Sequence, residues 1–386
     1  MPATLVTGIG ELWSFDGEDA PLRDAALVID GSTVAWAGPA GAEPAADHRV
    51  DVGGRAVLPG WVDSHTHLVF DGDRSPEFEA RMAGRSYSAG GIAVTTNATR
   101  SASDDRLRHL VERRVTEAVR GGTTCLETKT GYGLTVEHEA RSARIAAQFV
   151  DEVSFLGAHL VPQGIDADDY VDLVVGEMLQ AVTDHVGWID VFCEEGAFDT
   201  DQSRRVLQAG RDAGLGLRVH GNQLGHSGGV ALAVEMGAAS VDHVNHLSDD
   251  DIDALAASQV VATILPACDL STRAPLAPAR RLLDAGATIA IASNCNPGTS
   301  YTSSMNFCVA TAVLQQHLSI AEAIHAATAG GARALRRHDV GTLHVGARAD
   351  LHVLDAPAAI HLAYRPGMEL THQVWRAGSQ VWPPVA

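Results

Sequence analysis

Residues 56–67 read AVLPGWVDSHTH, and this stretch decides the fold class. It is an apolar run with a Pro-Gly inside it, and it ends in two histidines separated by one residue. An apolar run of this length is typical of a buried strand. Side chains two residues apart in a strand point to the same face, so we expect His65 and His67 to converge on one point. The stretch therefore predicts a buried strand whose carboxyl end carries chemistry.

Similar strand-like runs recur along the chain, and segments with helical periodicity separate them. The best-marked helix starts after Ser103, a residue type that caps helices, and ends at Gly121. Alternation of this kind is typical of βαβ units and of a (β/α)8 TIM barrel of about 250 residues. A doubly wound open sheet is the alternative. The remaining predicted strands are residues 123–127, 153–159, 188–195, 216–222, 239–244, 260–266 and 288–294.

The two ends of the chain do not fit the barrel pattern. Residues 1–58 and 341–386 contain short alternating runs joined by glycine-centred turns. We expect these ends to form one composite β-sandwich domain. The barrel, residues 59–340, would then be inserted between its two parts.

Composition limits the classes of partner. The formal net charge is −20, which argues against binding to nucleic acid or to an anionic membrane surface. No apolar run approaches the ~18–20 residues that span a bilayer, and the N-terminus lacks the pattern of a secretory signal. The five cysteines are widely spaced without a C-x-x-C pair, which is typical of free thiols in a reducing cytoplasm. We therefore expect a cytoplasmic globular protein.

Histidines follow or end several predicted strands. His65 and His67 are joined in this respect by His159, His220 and His243. The carboxyl ends of barrel strands meet at one face, and clustered imidazoles suit a transition-metal ion. The fourth strand, WIDVFCEE, ends without the lysine that a bridged two-metal site would need, so we expect a single ion.

Other polar groups are expected at the same face. Arg74 follows His67 by seven residues and offers a planar fork for a substrate carboxylate. Tyr132 stands between two glycines that permit a sharp turn. Residues 296–299, Asn-Pro-Gly-Thr, offer an amide and backbone N–H groups to a polar ligand. The charged strand-end residues that the sequence leaves open between this site and a solvated rim are Glu127, Lys129, Glu194 and Glu195.

A set of motifs between residues 59 and 334 resembles the imidazolonepropionase family of the amidohydrolase superfamily. In chain order the motifs are PGWVDSHTHLVFDGDR, ETKTGYGL, FLGAH, DVFCEEGAF, VHGNQ, VDHVNHL and SNCNPGTS, and GTLHVGARADL in the tail also fits the superfamily. His-x-His alone would indicate only the superfamily. The spacing of Arg74, the Gly-Tyr-Gly loop and the Asn-Pro-Gly-Thr turn select the family.

The resemblance implies a hydrolase with one zinc or iron ion, usually a homodimer, that takes a small-molecule substrate. It opens the ring of 4-imidazolone-5-propanoate to N-formimino-L-glutamate in histidine degradation. The implied metal ligands are His65, His67, His220 and the residue at 294. His243 would lie beside the attacking water, with Gln223 and Asn294 as further catalytic positions. The residues implied to bind substrate or product are Arg74, Tyr87, Tyr132, His159, Gln223, Asn296, Gly298 and Thr299.

Asn294 departs from the family, which has an aspartate there. An amide oxygen can coordinate a metal, but it carries no charge and does not accept a proton near neutral pH. Either the residue has been changed to slow turnover, or the natural protein is impaired or uses another base. Two other functions stay open. One is a ring deaminase, although these carry His-x-x-Glu where this chain has Gln223, and the other is an inert barrel that binds a metal or a small ligand.

Overall fold

The structure is a computed structural model that describes residues 2–15, 20–84 and 91–384. Tyr87, predicted to bind substrate, lies outside these residues. The strands are β1 Thr4–Leu12, β2 Leu22–Asp30, β3 Thr33–Pro39, β4 His48–Pro59, β5 Trp61–Asp63, β6 Thr123–Lys129, β7 Glu152–Ala158, β8 Trp188–Cys193, β9 Gly216–Gly221, β10 Ser240–His243, β11 Val261–Ile264, β12 Ile289–Ile291, β13 Leu351–Leu354, β14 Thr371–Arg376 and β15 Ser379–Trp382.

The helices between these strands vary from four residues to seventeen. They are α1 Ser75–Met82, α2 Ile92–Ser101, α3 Asp104–Arg120, α4 Val136–Ala146, α5 Ala167–Leu173, α6 Leu179–Val182, α7 Thr200–Asp212, α8 Gly229–Glu235, α9 Asp249–Ala256, α10 Pro266–Thr272, α11 Ala279–Asp284, α12 Met305–Gln315, α13 Ile320–His325, α14 Gly331–Ala334 and α15 His361–Tyr364. Within the described ranges, none of them is long and apolar enough to cross a membrane.

The predicted (β/α)8 barrel is confirmed. Eight strands follow one another in space from β5 to β12, in the order in which they occur along the chain. Neighbouring strands from β6 to β12 are parallel. The ring closes just beyond the first and last strands, where Asn294 N donates to His65 O at 3.0 Å and His67 N donates to Cys295 O at 2.9 Å.

The remaining strands form one seven-stranded sheet, in the order β15-β14-β13-β4-β1-β2-β3. Only the β1–β4 pair is parallel among the registers described for this sheet, and the other pairs are antiparallel. Its core is aliphatic, with Val6, Leu27, Val57 and Leu351 fully or almost fully buried. Both ends of the chain therefore contribute to one small β-domain, as predicted.

Two compact units divide the chain. The first contains residues 1–63, 116–125 and 304–386, and the second contains residues 64–115 and 126–303. The seven-stranded sheet belongs to the first unit. All residues of the candidate site described below belong to the second. The domain limits that the sequence suggested, at residues 58 and 341, stay a prediction.

The predicted first strand is wrong in one respect, because residues 56–67 contain the end of one strand and the whole of another. β4 ends at Pro59 in the seven-stranded sheet, and β5 begins at Trp61 in the barrel. Gly60 lies between them, and its N–H donates to Asp350 O at 2.9 Å. A Cβ at this position would overlap the side chain of Thr124, so only glycine fits.

Seven of the eight barrel strands end earlier than predicted, and β6 ends two residues later, at Lys129. His65 and His67 lie in the segment after β5, and Asn294 lies three residues beyond β12. The helical segment after β7 is interrupted, because a π-helical turn, Val174–Met178, separates α5 from α6. Gly176, with φ −97° and ψ −107°, is the non-helical residue of this turn.

Candidate active site

Four histidines and one asparagine from different parts of the barrel meet at the carboxyl ends of its strands. His65 and His67 follow β5, His220 lies in β9, His243 ends β10 and Asn294 follows β12. All five are buried, with exposures between 0 and 4%. Such burial is unusual for polar residues unless they are paired or bind a ligand.

The imidazoles are close enough to share an ion. His65, His220 and His243 offer ligand atoms that all lie within 4.8 Å of one another. His67 Nε2 lies 3.3 Å from His65 Nε2. Two nitrogens that are each ~2.0–2.1 Å from a tetrahedral zinc lie about 3.3 Å apart, so the His65–His67 distance suits shared coordination. The geometry thus groups His243 with the predicted ligands.

Carboxylates orient two of these rings. His65 Nδ1 lies 2.7 Å from Asp242 Oδ2, and His220 Nδ1 lies 3.1 Å from Asp190 Oδ1. Because an ionised carboxylate only accepts, each Nδ1 carries the hydrogen and each Nε2 keeps its lone pair for another partner. His220 Nε2 is buried and has no hydrogen-bond partner within the described part of the chain. The donor set therefore fits a metal ion.

A network of buried charges lies beside these carboxylates. Lys129 Nζ is 3.0 Å from Glu127 Oε1 and 2.8 Å from Asp190 Oδ2, and Arg218 is 3.1 Å from Asp242 Oδ2. Burial by itself raises the pKa values of Asp190 and Asp242. His220 and Lys129 beside Asp190, and Arg218 and His65 beside Asp242, outweigh burial and hold both pKa values well below the usual range. Glu127 and Lys129 therefore belong to the support of the site rather than to a solvated rim.

Three histidines of the cluster, His65, His67 and His243, are neutral near pH 7, and so is the neighbouring His159. Burial, together with the charge of Lys129, lowers the pKa of His65 to about 3. Burial likewise lowers the pKa values of His67 and His243 well below the ordinary value. The pKa of His159 falls to about 4, again mainly through burial. Neutral imidazoles keep a lone pair with which to bind a metal or accept a proton.

Backbone strain accompanies the site. His243 has φ 85° and Asn294 has φ 51°, in the region that favours glycine. Asparagine tolerates this region, whereas such a conformation costs of order 1–3 kcal/mol for most other residues. Strain kept at His243 points to a functional reason for its placement.

One cavity brings most of the predicted residues together. Arg74, 6% exposed, reaches it from the N-terminal end of α1. Gly298 lines a neighbouring cavity, which Arg74 also lines. The residues around the first cavity are His67, Arg74, Ile92, Tyr132, His159, Leu160, Phe192, His220, Gln223, His243, Asn294, Asn296 and Thr299.

The loop that carries Tyr132 is held by a residue that the sequence analysis missed. Glu139 accepts hydrogen bonds from Gly131 N at 2.9 Å, Gly133 N at 2.6 Å and Leu134 N at 2.7 Å. Its carboxyl group is fully buried, and burial raises its pKa while these hydrogen bonds oppose the rise. An acid in the first turn of the helix that follows a glycine loop was the available signal.

The turn around Asn296 uses its own polar groups. Asn296 Oδ1 accepts from Gly298 N and Thr299 N, both at 2.8 Å, and Asn296 Nδ2 donates to Asn294 O at 2.7 Å. The turn therefore fixes the backbone next to Asn294. Direct contact of Asn296, Gly298 and Thr299 with a ligand stays a prediction.

Gln223 is held through its backbone. Its N–H donates to Glu194 Oε1 at 2.5 Å. Burial raises the pKa of Glu194 to about 7. Glu195, by contrast, is exposed. Of the acid pair at the end of β8, only Glu194 takes part in the site.

Comparison with known proteins assigns the family. The amidohydrolase family model matches residues 56–379. An imidazolonepropionase of Micrococcus luteus is 68% identical, with 98% of this chain and 99% of the relative aligned. One from Saccharopolyspora erythraea is 66% identical, with 99% of each chain aligned. The chain belongs to the imidazolonepropionase family.

Solved structures with less than 25% identity share the fold. An atrazine chlorohydrolase of Arthrobacter aurescens complexed with zinc superposes with a TM-score of 0.74 at 19% identity, over 98% of this chain and 95% of that one. An adenosine deaminase of Xanthomonas campestris with bound zinc gives 0.75 at 20% identity, over 98% and 92%. Membership of the imidazolonepropionase family and the histidine cluster together indicate a site for a metal ion.

Proposed function

We propose that this protein hydrolyses 4-imidazolone-5-propanoate to N-formimino-L-glutamate in histidine degradation. The observation that carries the proposal is a cavity lined by Arg74 and by three neutral imidazoles, those of His67, His159 and His243. The substrate has a ring to be attacked and a carboxylate to be bound. A cavity with both kinds of group suits it.

The metal would be held by His65, His67, His220 and Asn294, one zinc or iron ion per subunit. Support comes from the buried Asn294 Oδ1, which has no hydrogen-bond partner within the described ranges, and from the carboxylates that orient His65 and His220. When bound, the ion supplies an activated water and polarises the bond under attack. Imidazole and oxygen ligands suit zinc and iron alike.

The protein's own residues bind and orient the substrate. Arg74 takes the carboxylate, because a guanidinium presents donors in a plane that matches it. His159 Nδ1 donates to Gly131 O at 2.9 Å, which leaves its Nε2 to accept a hydrogen bond from a ring N–H. Tyr132 and Gln223 line the same cavity and would contact the imidazolone ring of the substrate.

Proton transfer falls to His243 in this proposal. Its imidazole is neutral and buried, and its Nδ1 has no hydrogen-bond partner in the described part of the chain. His243 would take a proton from the attacking water and return it to the ring nitrogen as the carbon–nitrogen bond breaks. Asn294 does not compete for this proton, because an amide is not basic near neutral pH.

A turnover assay tests the function. The purified protein, loaded with zinc or iron, is mixed with 4-imidazolone-5-propanoate, and the products are followed by mass spectrometry and by ammonia release. N-formimino-L-glutamate without ammonia supports the proposal, whereas ammonia would indicate a deaminase. Ligand binding without turnover would indicate an inert barrel.

We also propose a cytoplasmic homodimer without a nucleic-acid or membrane partner. The net charge of −20 and the family resemblance support this expectation. Light scattering at several protein concentrations measures the subunit number. A monomer throughout would contradict the dimer.

A further inference from the structure

A separate ion pair lies at the edge of the cavity, between Arg74 and Glu77 of α1. Arg74 Nε donates to Glu77 Oε2 at 2.8 Å, and the NH2 nitrogen of Arg74 donates to Glu77 Oε1, also at 2.8 Å. The Arg74 side chain is 4% exposed and that of Glu77 is 25% exposed. Two parallel bonds of this kind fix the plane of a guanidinium, which a single contact does not.

Two glycines enclose this pair. A Cβ at Gly91 would overlap Glu77 Oε2 and would lie 2.7 Å from the NH2 nitrogen of Arg74. A Cβ at Gly298 would overlap the NH1 nitrogen of Arg74. Backbone thus approaches the pair closely on two sides, where any other residue type would displace it.

The local charges leave a net positive charge. Arg81 lies 3.8 Å from Glu77 Oε1 and donates to Gly298 O at 2.7 Å. Arg74, Glu77 and Arg81 together carry +1, and the neighbouring Asp73 is exposed and bonded to Ser75. One substrate carboxylate would balance that charge. The charge of Arg74 also reaches into the cavity, where it adds slightly to the lowering of the His159 pKa that burial mainly causes.

We infer that Glu77 is a positioning residue for Arg74 and that it sets the substrate chain length the enzyme accepts. Glu77 binds the Nε edge of the guanidinium and so fixes the direction in which the other edge points. A guanidinium held in one place binds a carboxylate at one distance from the imidazolone ring. It therefore suits the propanoate side chain and discriminates against an acetate side chain, which is one methylene shorter. This inference rests on the proposed function.

The test compares Glu77→Gln with the parent and with Glu79→Gln. Glu79 is an exposed acid on the same helix, which makes its variant a matched control. Glutamine keeps the volume of Glu77 but loses its charge and one of its two acceptor oxygens. For imidazolone propanoate we expect Glu77→Gln to raise KM by about tenfold or more, with kcat within about twofold.

The acetate homologue supplies a readout that a purely structural role would not change. The ratio of kcat/KM for propanoate over acetate should fall in Glu77→Gln and stay at the parent value in Glu79→Gln. Gly91→Ala would push Arg74 and Glu77 apart while keeping both charges, so it should lower the propanoate-over-acetate ratio of kcat/KM as Glu77→Gln does. Thermal unfolding of each variant checks that it is folded.

The outcomes separate the two proposals. An active parent whose KM and chain-length ratio are unchanged in both Glu77→Gln and Gly91→Ala overturns the positioning role alone. A lower KM in Glu77→Gln also overturns it, because Glu77 would then compete with the substrate for Arg74. A parent that neither turns over imidazolone propanoate nor binds N-formimino-L-glutamate in a calorimeter overturns the proposed function, and this inference with it.

Discussion

Asn294 places an uncharged amide where the family resemblance implies an aspartate. Its Oδ1 is buried and has no hydrogen-bond partner in the described ranges. In the proposed mechanism His243 accepts the proton alone, so a carboxylate at position 294 would add a second proton acceptor, and Asn294→Asp should raise kcat by ~10²–10⁴-fold, the usual contribution of a positioned base. KM should change less, because Arg74 and His159 are untouched. Steady-state kinetics on both proteins measures this.

Equal rates in the parent and Asn294→Asp would mean that a carboxylate at position 294 adds nothing and that His243 alone transfers the proton. His243 is then the residue to replace, because its neutral imidazole lines the same cavity. His243→Asn should in that case abolish turnover in both backgrounds.

His67 provides a direct test of the metal site. His67→Ala removes one imidazole from a site with few ligands, so metal content per subunit should fall by at least about half. Elemental analysis of purified protein measures it. His226→Ala is the control, since His226 is exposed and away from the cavity lining. Equal metal content in His67→Ala and the parent would remove His67 from the ligand set.

The sequence predicts those site residues that lie close together along the chain. His65 and His67 could be predicted, because alternation along one extended segment brings them together. The carboxylates that hydrogen-bond to His65 and His220 could not be predicted, because their positions depend on the register between strands. In that register Asp242 of β10 lies beside His220 of β9, and Asp190 of β8 lies beside Arg218 of β9. An acid inside an apolar strand was the only signal that Asp190 and Asp242 gave.

Among the elements, α10 contains a buried acid that titrates. Asp269 accepts from Asn245 Nδ2 at 2.7 Å and from Ala277 N at 3.2 Å, and burial raises its pKa to about 7. The folded state therefore holds a proton that the unfolded chain releases near pH 4. This stabilisation is complete below pH 4 and is lost as the pH rises towards 7, up to about 4 kcal/mol in all.

Asp269→Asn should flatten this dependence. The loss of thermal stability between pH 5 and pH 7.5 should be smaller in the variant than in the parent. Asp250→Asn, which changes an exposed acid on α9, is the control and should keep the parent slope. Scanning calorimetry across this range measures all three proteins, and parallel slopes would contradict the titration of Asp269.

Elements were predicted best where periodicity and turn residues agreed, as for α3. The prediction of one continuous strand over residues 56–67 was wrong because the residues on both sides of Gly60 are apolar and buried. The change from one sheet to the other depends on pairing partners that are distant in sequence. The π-helical turn at Val174–Met178 was not predicted, since its buried residues, Val174 and Met178, continue the apolar pattern of α5.

In the whole barrel, the proposed metal-binding residues come from both its first and its last segment, with His65 after β5 and Asn294 after β12. An ion that binds only the folded state stabilises it by about 2.7 kcal/mol at 100 times its Kd. Chelation should therefore lower the Tm of the parent, and added zinc or iron should restore it. His67→Ala should respond less. A Tm unaffected by chelator, with loss of metal verified, would contradict the coupling.

The seven-stranded sheet has a consequence for biosynthesis. β4 pairs with β13, but β13 follows it by about 290 residues. At ~5–20 residues per second, a ribosome needs ~15–60 s to make that interval. Throughout this time the edge of β4 exposes N–H and C=O groups that can pair with another nascent chain. Slower translation between these strands should therefore favour aggregation, and a chaperone that covers β4 should prevent it.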